Sequence, residues 1–222
     1  MQVFPTQILQ QGFEADYQYG TEKAFEGTKP SQVGRLYVDR FGREREEIFV
    51  MDGTEWELVF VEIWDVVALK NSTLSPNEKQ ILLQEPIDLK VDKRILGLEM
   101  PGVVLAAFPR RLLPSGKELG VKQIEGLMCK GVMIENPSNG GNPGFTAECW
   151  YSEVISYLVF VKIVFGKTTV ETTFKLSNIR LVEPAEELFT IPTDYKQAEV
   201  SYSMCSIGKN DEGTSPQPDP AL

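Results

Sequence analysis

The stretch Y-L-V-F-V-K-I-V-F-G-K-T-T-V-E-T-T-F-K-L, Tyr157 to Leu176, decides the fold. Its first arm is β-branched and aromatic, and its second arm alternates. Gly166-Lys167 between them suits a two-residue turn with glycine at the first central position. Such a turn sets Phe165 against Thr168. Ile163 then faces Val170, Val161 faces Thr172, Val159 faces Phe174 and Tyr157 faces Leu176. These residues share one face, and it is almost wholly apolar. The other face sets Lys162 against Glu171, an opposite-charge pair worth about 0.2–1 kcal/mol. A slip of one residue would break both patterns at once. Leu158, Phe160 and Val164 leave the second face partly apolar, so part of it is expected to be covered.

Working outward, E-P-A-E-E-L-F-T-I-P-T-D-Y (Glu183–Tyr195) reads as a cap that packs back on the sheet. Leu188, Phe189, Ile191 and Tyr195 are its anchors, and Pro184 and Pro192 stiffen it. Upstream, Phe13, Ala15, Tyr17 and Tyr19 alternate with polar residues, the pattern of a half-buried strand. Residues 21–32 read as a loop. Gly34–Asp39 is a strand, Asp39-Arg40-Phe41-Gly42 a turn, and Arg43–Val50 a strand with a charged face. After a turn at Asp52-Gly53, Trp56–Trp64 is apolar on both faces, as a central strand is. Further strands fall near Lys122–Glu135 and Thr146–Tyr151.

Ser75-Pro76-Asn77-Glu78 allows two readings. It is a capping box with proline at the first helical position, opening a short helix to Leu83. Equally, Leu74–Asn77 is a β-turn followed by a strand over Lys79–Gln84. Asp88–Leu113 is the least legible region, with Val103–Phe108 a candidate short helix on the concave sheet face. The polar, proline-rich Ser206–Leu222 reads as a disordered tail. The expected architecture is therefore mainly β. It is a curved antiparallel sheet or open half-barrel of about eight to ten strands, with one or two short helices on its concave face. One domain is expected over residues 1–204, followed by the tail from 205 to 222.

Composition narrows the function. The chain has 222 residues, a formal charge of −10 and no histidine. The acidity argues against phosphate-backbone binding. Without histidine, Ser-His-Asp and Cys-His catalysis are excluded, and the commonest metal ligand is missing. Carboxylate-pair chemistry remains open, but no motif supports it. No enzyme, cofactor or metal is expected. Asn210-Asp211-Glu212 could bind calcium only weakly, and Asn71-Ser72-Thr73 matches a glycosylation sequon. No apolar run reaches the roughly 18 residues of a membrane span. Met1–Gln11 lacks the basic and apolar regions of a signal peptide.

Cys129 and Cys149 lie symmetrically about Asn139 in the loop P-S-N-G-G-N-P. Strands paired around that loop would face the two thiols, which permits a cross-strand disulfide and an oxidising compartment. The alternative is two buried, reduced cysteines that pack as small apolar groups.

Several strings carry a family likeness. L-G-V-K-Q-I-E-G-L-M-C-K-G (Leu119–Gly131), E-C-W-Y-S (Glu148–Ser152), F-K-L-S-N-I-R (Phe174–Arg180) and Glu183–Tyr195 resemble a group of uncharacterised bacterial envelope proteins. G-F-E-A-D-Y near the N-terminus and G-R-L-Y-V-D-R-F-G-R-E-R-E-E-I are similar to the same group. The likeness covers about half to two-thirds of the chain and is absent over Asp88–Leu113. It implies the half-barrel of lipoprotein carriers and receptors of the LolA and LolB type. It implies a noncatalytic binding protein, periplasmic or secreted, with a cytoplasmic location left open. The concave face would hold a lipid, acyl chain or lipoprotein, with Phe13, Tyr17, Trp56, Phe60, Val159, Val161 and Phe174 as lining residues. Core packing is the bland reading of the same seven residues. A structural or protein-interaction module with a filled interior is the second functional reading, with an envelope protein as partner.

Overall fold

A computed structural model describes residues 11–20, 32–52, 54–86, 114–136, 144–165 and 170–198. Twelve strands run in chain order: β1 (Phe13–Gly20), β2 (Gln32–Val38), β3 (Glu44–Asp52), β4 (Glu55–Asp65), β5 (Lys70–Ser75), β6 (Gln80–Pro86), β7 (Lys117–Ile124), β8 (Leu127–Asn136), β9 (Phe145–Ser152), β10 (Tyr157–Phe165), β11 (Val170–Arg180) and β12 (Lys196–Gln197). They form one curved, unclosed sheet in the order β12-β6-β5-β4-β3-β2-β1-β11-β10-β9-β8-β7. Two antiparallel meanders, β1–β6 and β7–β11, are thus joined where β1 pairs with β11. Only β12 runs parallel, beside β6.

The curvature follows from one contact. Tyr157 Oη at the start of β10 donates to Glu44 Oε1 at the start of β3, at 2.9 Å. Three strands lie between them, so a flat sheet would hold these backbones about 19 Å apart. The sheet must curl so that this face is concave. Tyr157 also meets Phe13 edge to face, ring centroids 5.5 Å apart.

The hairpin that sets the fold is present, with a different offset. Phe165 pairs with Val170, Ile163 with Thr172 and Val161 with Phe174. The connection is therefore four residues, 166–169, which lie outside the described residues. The slide of two residues keeps Val161 and Ile163 on the expected side, because side chains alternate with period two, while a bulge between Leu158 and Phe160 interrupts the alternation toward Tyr157. In this register Lys162 lies opposite Thr173 and Glu171 opposite Val164.

Ser75–Gln84 resolves as the second of its two readings. Lys79 N donates to Pro76 O at 3.3 Å, and Lys79 adopts a left-handed φ of 51°, which closes a turn and leads into β6. Lys122–Glu135 forms a hairpin turned at Glu125-Gly126, with φ of 48° and 81°. Among the described residues the one helical segment is a 3₁₀ turn, Glu186–Phe189. It lies on the outer face, not the concave one. Val103–Phe108, the tail and Asn210–Glu212 fall outside the described residues, and the sequon Asn71–Thr73 lies within β5.

The core falls into two clusters. The large one spans both meanders, and its concave part includes Phe13, Tyr17, Leu36, Val161, Phe174 and Leu176. The smaller one, Val61, Ile63 and Leu74, lies on the outer side of β4 and β5. The C-terminal segment covers it as the sequence predicts: Ile191 and Tyr195 pack on it, and Phe189 is buried beside it.

Candidate functional site

The concave face divides into a sealed half and an open half. In the sealed half, over β1, β2 and β8–β11, the face is set by cross-strand pairs. Tyr17 lies opposite Leu176 and Gly34, and Val161 lies opposite Phe174 and Cys149. A Cβ on Gly34 would stand 2.1 Å from the Tyr17 ring and 2.4 Å from the Glu47 carbonyl oxygen. Glycine at this position therefore lets the Tyr17 ring lie flat over β2. Phe13, Tyr17, Val159, Val161 and Phe174 all belong to this single cluster, none more than 4% exposed.

The open half lies on β3–β6. Register carries the concave face from Gly34 to Ile48 and on to Phe60, and from Glu46 to Glu62, Thr73 and Leu83. Phe60 is 41% exposed and Leu83 40%, while Ile48 and Trp64 are half-buried. Carboxylates interleave with them. Glu46 is buried, and Glu44, Glu62 and Glu85 are half-buried on the same face. The result is an apolar strip edged by acidic groups.

Five of the seven residues expected to line the concave face are thus brought together in the sealed half, and Phe60 stands in the open half. Trp56 is separated from them. A β-bulge between Ile48 and Phe49 pairs Phe49 with Leu58 and Met51 with Trp56. Leu58 packs in the outer core, and Trp56 shares its side of β4. Ile48, Trp64 and Leu83 were not singled out from sequence. Pairing β3 with β4 outward from Asp52 and Glu55 would set Ile48 opposite Val59, and it is the bulge that brings it opposite Phe60.

The cysteines follow the second of their two readings. Cys129 lies opposite Ser152 and Cys149 opposite Val132. This register is three residues from the symmetric one, and an odd displacement sends the two side chains to opposite faces. Both thiols are free and buried. Burial pushes Cys149 from 9.0 to about 12, and burial likewise raises Cys129.

On the outer face, Trp150 lies over Gly131, where a Cβ would stand 2.6 Å from its ring. Lys122 Nζ sits 3.8 Å from the ring centroid. A polar groove of about 580 Å³ crosses the outer side of β11, β1 and β2, with the Arg180–Glu14 ion pair at 2.5 Å and Asn178 donating to Asp16. Among the described residues no three His, Cys, Asp or Glu side chains gather as metal ligands. No helix there is long and apolar enough to cross a membrane.

No protein-family model and no curated protein sequence matches the chain. Solved structures do match it in shape. An uncharacterised conserved protein of Thermus thermophilus aligns with a TM-score of 0.50 at 11% identity, over 86% of this chain and 91% of that one. The Pseudomonas aeruginosa MucA/MucB complex aligns with a TM-score of 0.42 at 11% identity, over 86% of this chain and 59% of the matched chain. LprF of Mycobacterium bovis aligns with a TM-score of 0.37 at 14% identity, over 84% and 90%. At these identities the likeness is one of fold alone.

Proposed function

We propose that this chain is a noncatalytic, extracytoplasmic binding protein of the bacterial cell envelope. Its open concave half receives an acyl chain, carried on a lipid or a lipoprotein. The observation that carries this reading is the exposure of Phe60 and Leu83 on a face that is otherwise sealed. Each methylene that an acyl chain buries there contributes about 0.8 kcal/mol. The sequence likeness to envelope proteins supports the location.

Native mass spectrometry of protein exported to the periplasm, with lipid extraction, tests this. A stoichiometric lipid that is lost in Phe60→Asp supports it. Because Phe60 is a surface residue, that substitution should leave the fold intact. A clean apo mass after incubation with lipids and lipopeptides overturns it. The second reading then stands: an envelope interaction module with a filled interior. The near-complete burial of Phe13, Tyr17, Val159, Val161 and Phe174 by the rest of the chain favours that alternative.

A further inference from the structure

The polar groove on the outer side of the sheet belongs to neither core cluster. Its floor is β1, with Glu14 and Asp16, and its walls are Arg35 and Tyr37 of β2 and Asn178 and Arg180 of β11. Its volume of about 580 Å³ lies within the roughly 300–1,000 Å³ of small-molecule sites. The register makes its lining a grid. Arg180, Glu14, Tyr37 and Arg45 follow one another across the strands, and Ser177, Asp16, Arg35 and Glu47 form the next row. Neighbours within a row stand about 4.8 Å apart, and the rows about 6.8 Å apart. Donors and acceptors alternate along each row.

β11 departs from regular pairing to build one wall. Between the pairs Asp16–Ser177 and Glu14–Arg180, β1 has one residue and β11 has two. That is a bulge, and Asn178 within it holds a left-handed φ of 51°. Bulges re-aim side chains, and left-handed residues other than glycine gather at functional sites. Here the bulge carries the Asn178 amide over β1, where its Nδ2 donates to Asp16 Oδ2 at 2.8 Å. An ordinary solvated sheet face needs no such break in the ladder.

What the groove has left to offer is hydrogen bonding, not charge. Arg180 pairs with Glu14 Oε2 at 2.5 Å, and Arg45 with Glu47 at 2.9 Å. Arg35 has no carboxylate at ion-pair distance among the described residues, and its guanidinium lies 5.8 Å from the Phe49 ring centroid. The register still sets it between Asp16 and Glu47. An anion at Arg35 would meet both carboxylates, and a cation at Asp16 would meet Arg35, so neither is favoured. Among the described residues Glu14 Oε1, Asp16 Oδ1 and Asn178 Oδ1 keep acceptor capacity, and the Arg35 guanidinium keeps donors. Burial first, and Glu47 next, hold the Tyr37 phenol above its ordinary 10.0 against the pull of Arg35. It therefore stays protonated and can both donate and accept. Its half-buried ring adds one flat apolar face. A neutral ligand rich in hydroxyls uses all of these groups, since each hydroxyl both donates and accepts. A peptide would bring backbone groups that need a strand edge, and this groove crosses the middle of a sheet.

We infer that this groove binds a free, neutral saccharide, with a sugar ring on Tyr37 and its hydroxyls on Asp16, Arg35 and Asn178. The inference makes no use of the concave face, so it stands or fails apart from the acyl-chain reading. The test is amide-resolved NMR of the isotope-labelled full chain, titrated with maltotriose, cellotriose and chitotriose. At least one of the three should shift the β1, β2 and β11 amides beside the groove. Asn178→Gly keeps the left-handed backbone without strain. It should weaken binding about fivefold, the loss of one hydrogen bond, while thermal stability stays level or rises. A purely structural role for the side chain would not separate the two readouts. Asp16→Asn should weaken binding to a similar extent. Phe60→Asp, on the concave face, should bind as the parent does. Octyl glucoside below its micelle concentration should bind no tighter than methyl glucoside, because the groove offers an alkyl chain no apolar track. The inference is overturned if none of the three trisaccharides shifts the groove amides, or if the groove variants bind like the parent. It is equally overturned by tighter binding of octyl glucoside, or by inorganic phosphate or glycine betaine moving the same amides as strongly.

Discussion

At single residues, the sheet is shaped by what two glycines make room for. Gly131 lies under Trp150, and every near neighbour of a Cβ added there belongs to that one ring. Gly131→Ala should therefore cost about 1–3 kcal/mol by overpacking. In a Trp150→Leu background the same change should cost far less, and a double-mutant cycle in urea measures the coupling. Equal cost in both backgrounds would show that the ring is not what the glycine serves. Val161, 1% exposed and facing both Cys149 and Phe174, gives the opposite case. Val161→Asp buries a carboxylate among apolar groups and should destabilise by at least about 3 kcal/mol or prevent folding. A variant that melts like the parent would mean the facing of β10 is wrong. Cys149 adds a pH dependence. Its folded pKa of about 12 lies above its ordinary 9.0, so above pH 9 the unfolded chain binds fewer protons than the folded one. The stabilisation is complete below pH 9 and is lost as pH rises from there toward 12. Cys149→Ala should flatten the alkaline fall in stability.

Elements show why facing was legible from sequence and pairing was not. The apolar alternation of Tyr157–Phe165 fixes which side chains turn inward, and the structure keeps that facing at Val161 and Ile163 despite a slide of two residues, with a bulge between Leu158 and Phe160 interrupting it nearer the start of the strand. The slide depends on how many residues the connection takes, and neither Gly166 nor Lys167 determines that. The same uncertainty at the Asn139 loop gave an odd slide, which separated Cys129 from Cys149. In β4 the bulge opposite Ile48 and Phe49 breaks the alternation between Trp56 and Phe60, and no local residue type announces it. The C-terminal cap was legible because Phe189, Ile191 and Tyr195 have no other apolar purpose in a polar stretch. It is held by specific bonds as well as burial. Glu183 accepts from Gly12 N and Arg40 N, at 3.0 and 3.2 Å, and Arg45 donates to Leu188 O. Arg43 stacks on Phe189, 4.9 Å from its centroid. Phe189→Ala should cost about 3 kcal/mol. The loss should be local, with hydrogen exchange quickened at the Lys196 and Ala198 amides that bond Lys79 and Ile81. Amides of β1, β10 and β11 should exchange as before.

For the whole molecule, the question is whether two meanders make one folding unit. The sequence expectation is one domain over residues 1–204, with strands that follow one another mostly in sequential hairpins. Two features of the described residues bear on it. Phe13, Tyr17 and Leu36 of the first meander share one buried cluster with Val161, Phe174 and Leu176 of the second. The Tyr157–Glu44 bond ties β10 to β3 across the concave side. Neither meander can bury its share of that cluster alone, since each would expose the surface that the other covers. The outer core is different: Val61, Ile63 and Leu74 are covered by the cap and lie wholly beside the first meander. Tryptophans report from both halves, Trp56 and Trp64 on β4 and Trp150 on β9. A Trp150→Phe variant therefore leaves fluorescence only on β4, and a Trp56→Phe/Trp64→Phe variant leaves it only on β9. In each variant, urea unfolding followed by fluorescence should share one midpoint with far-UV circular dichroism. Separate midpoints would show that the β1–β11 seam joins two units, and that the β4 region with its cap unfolds on its own.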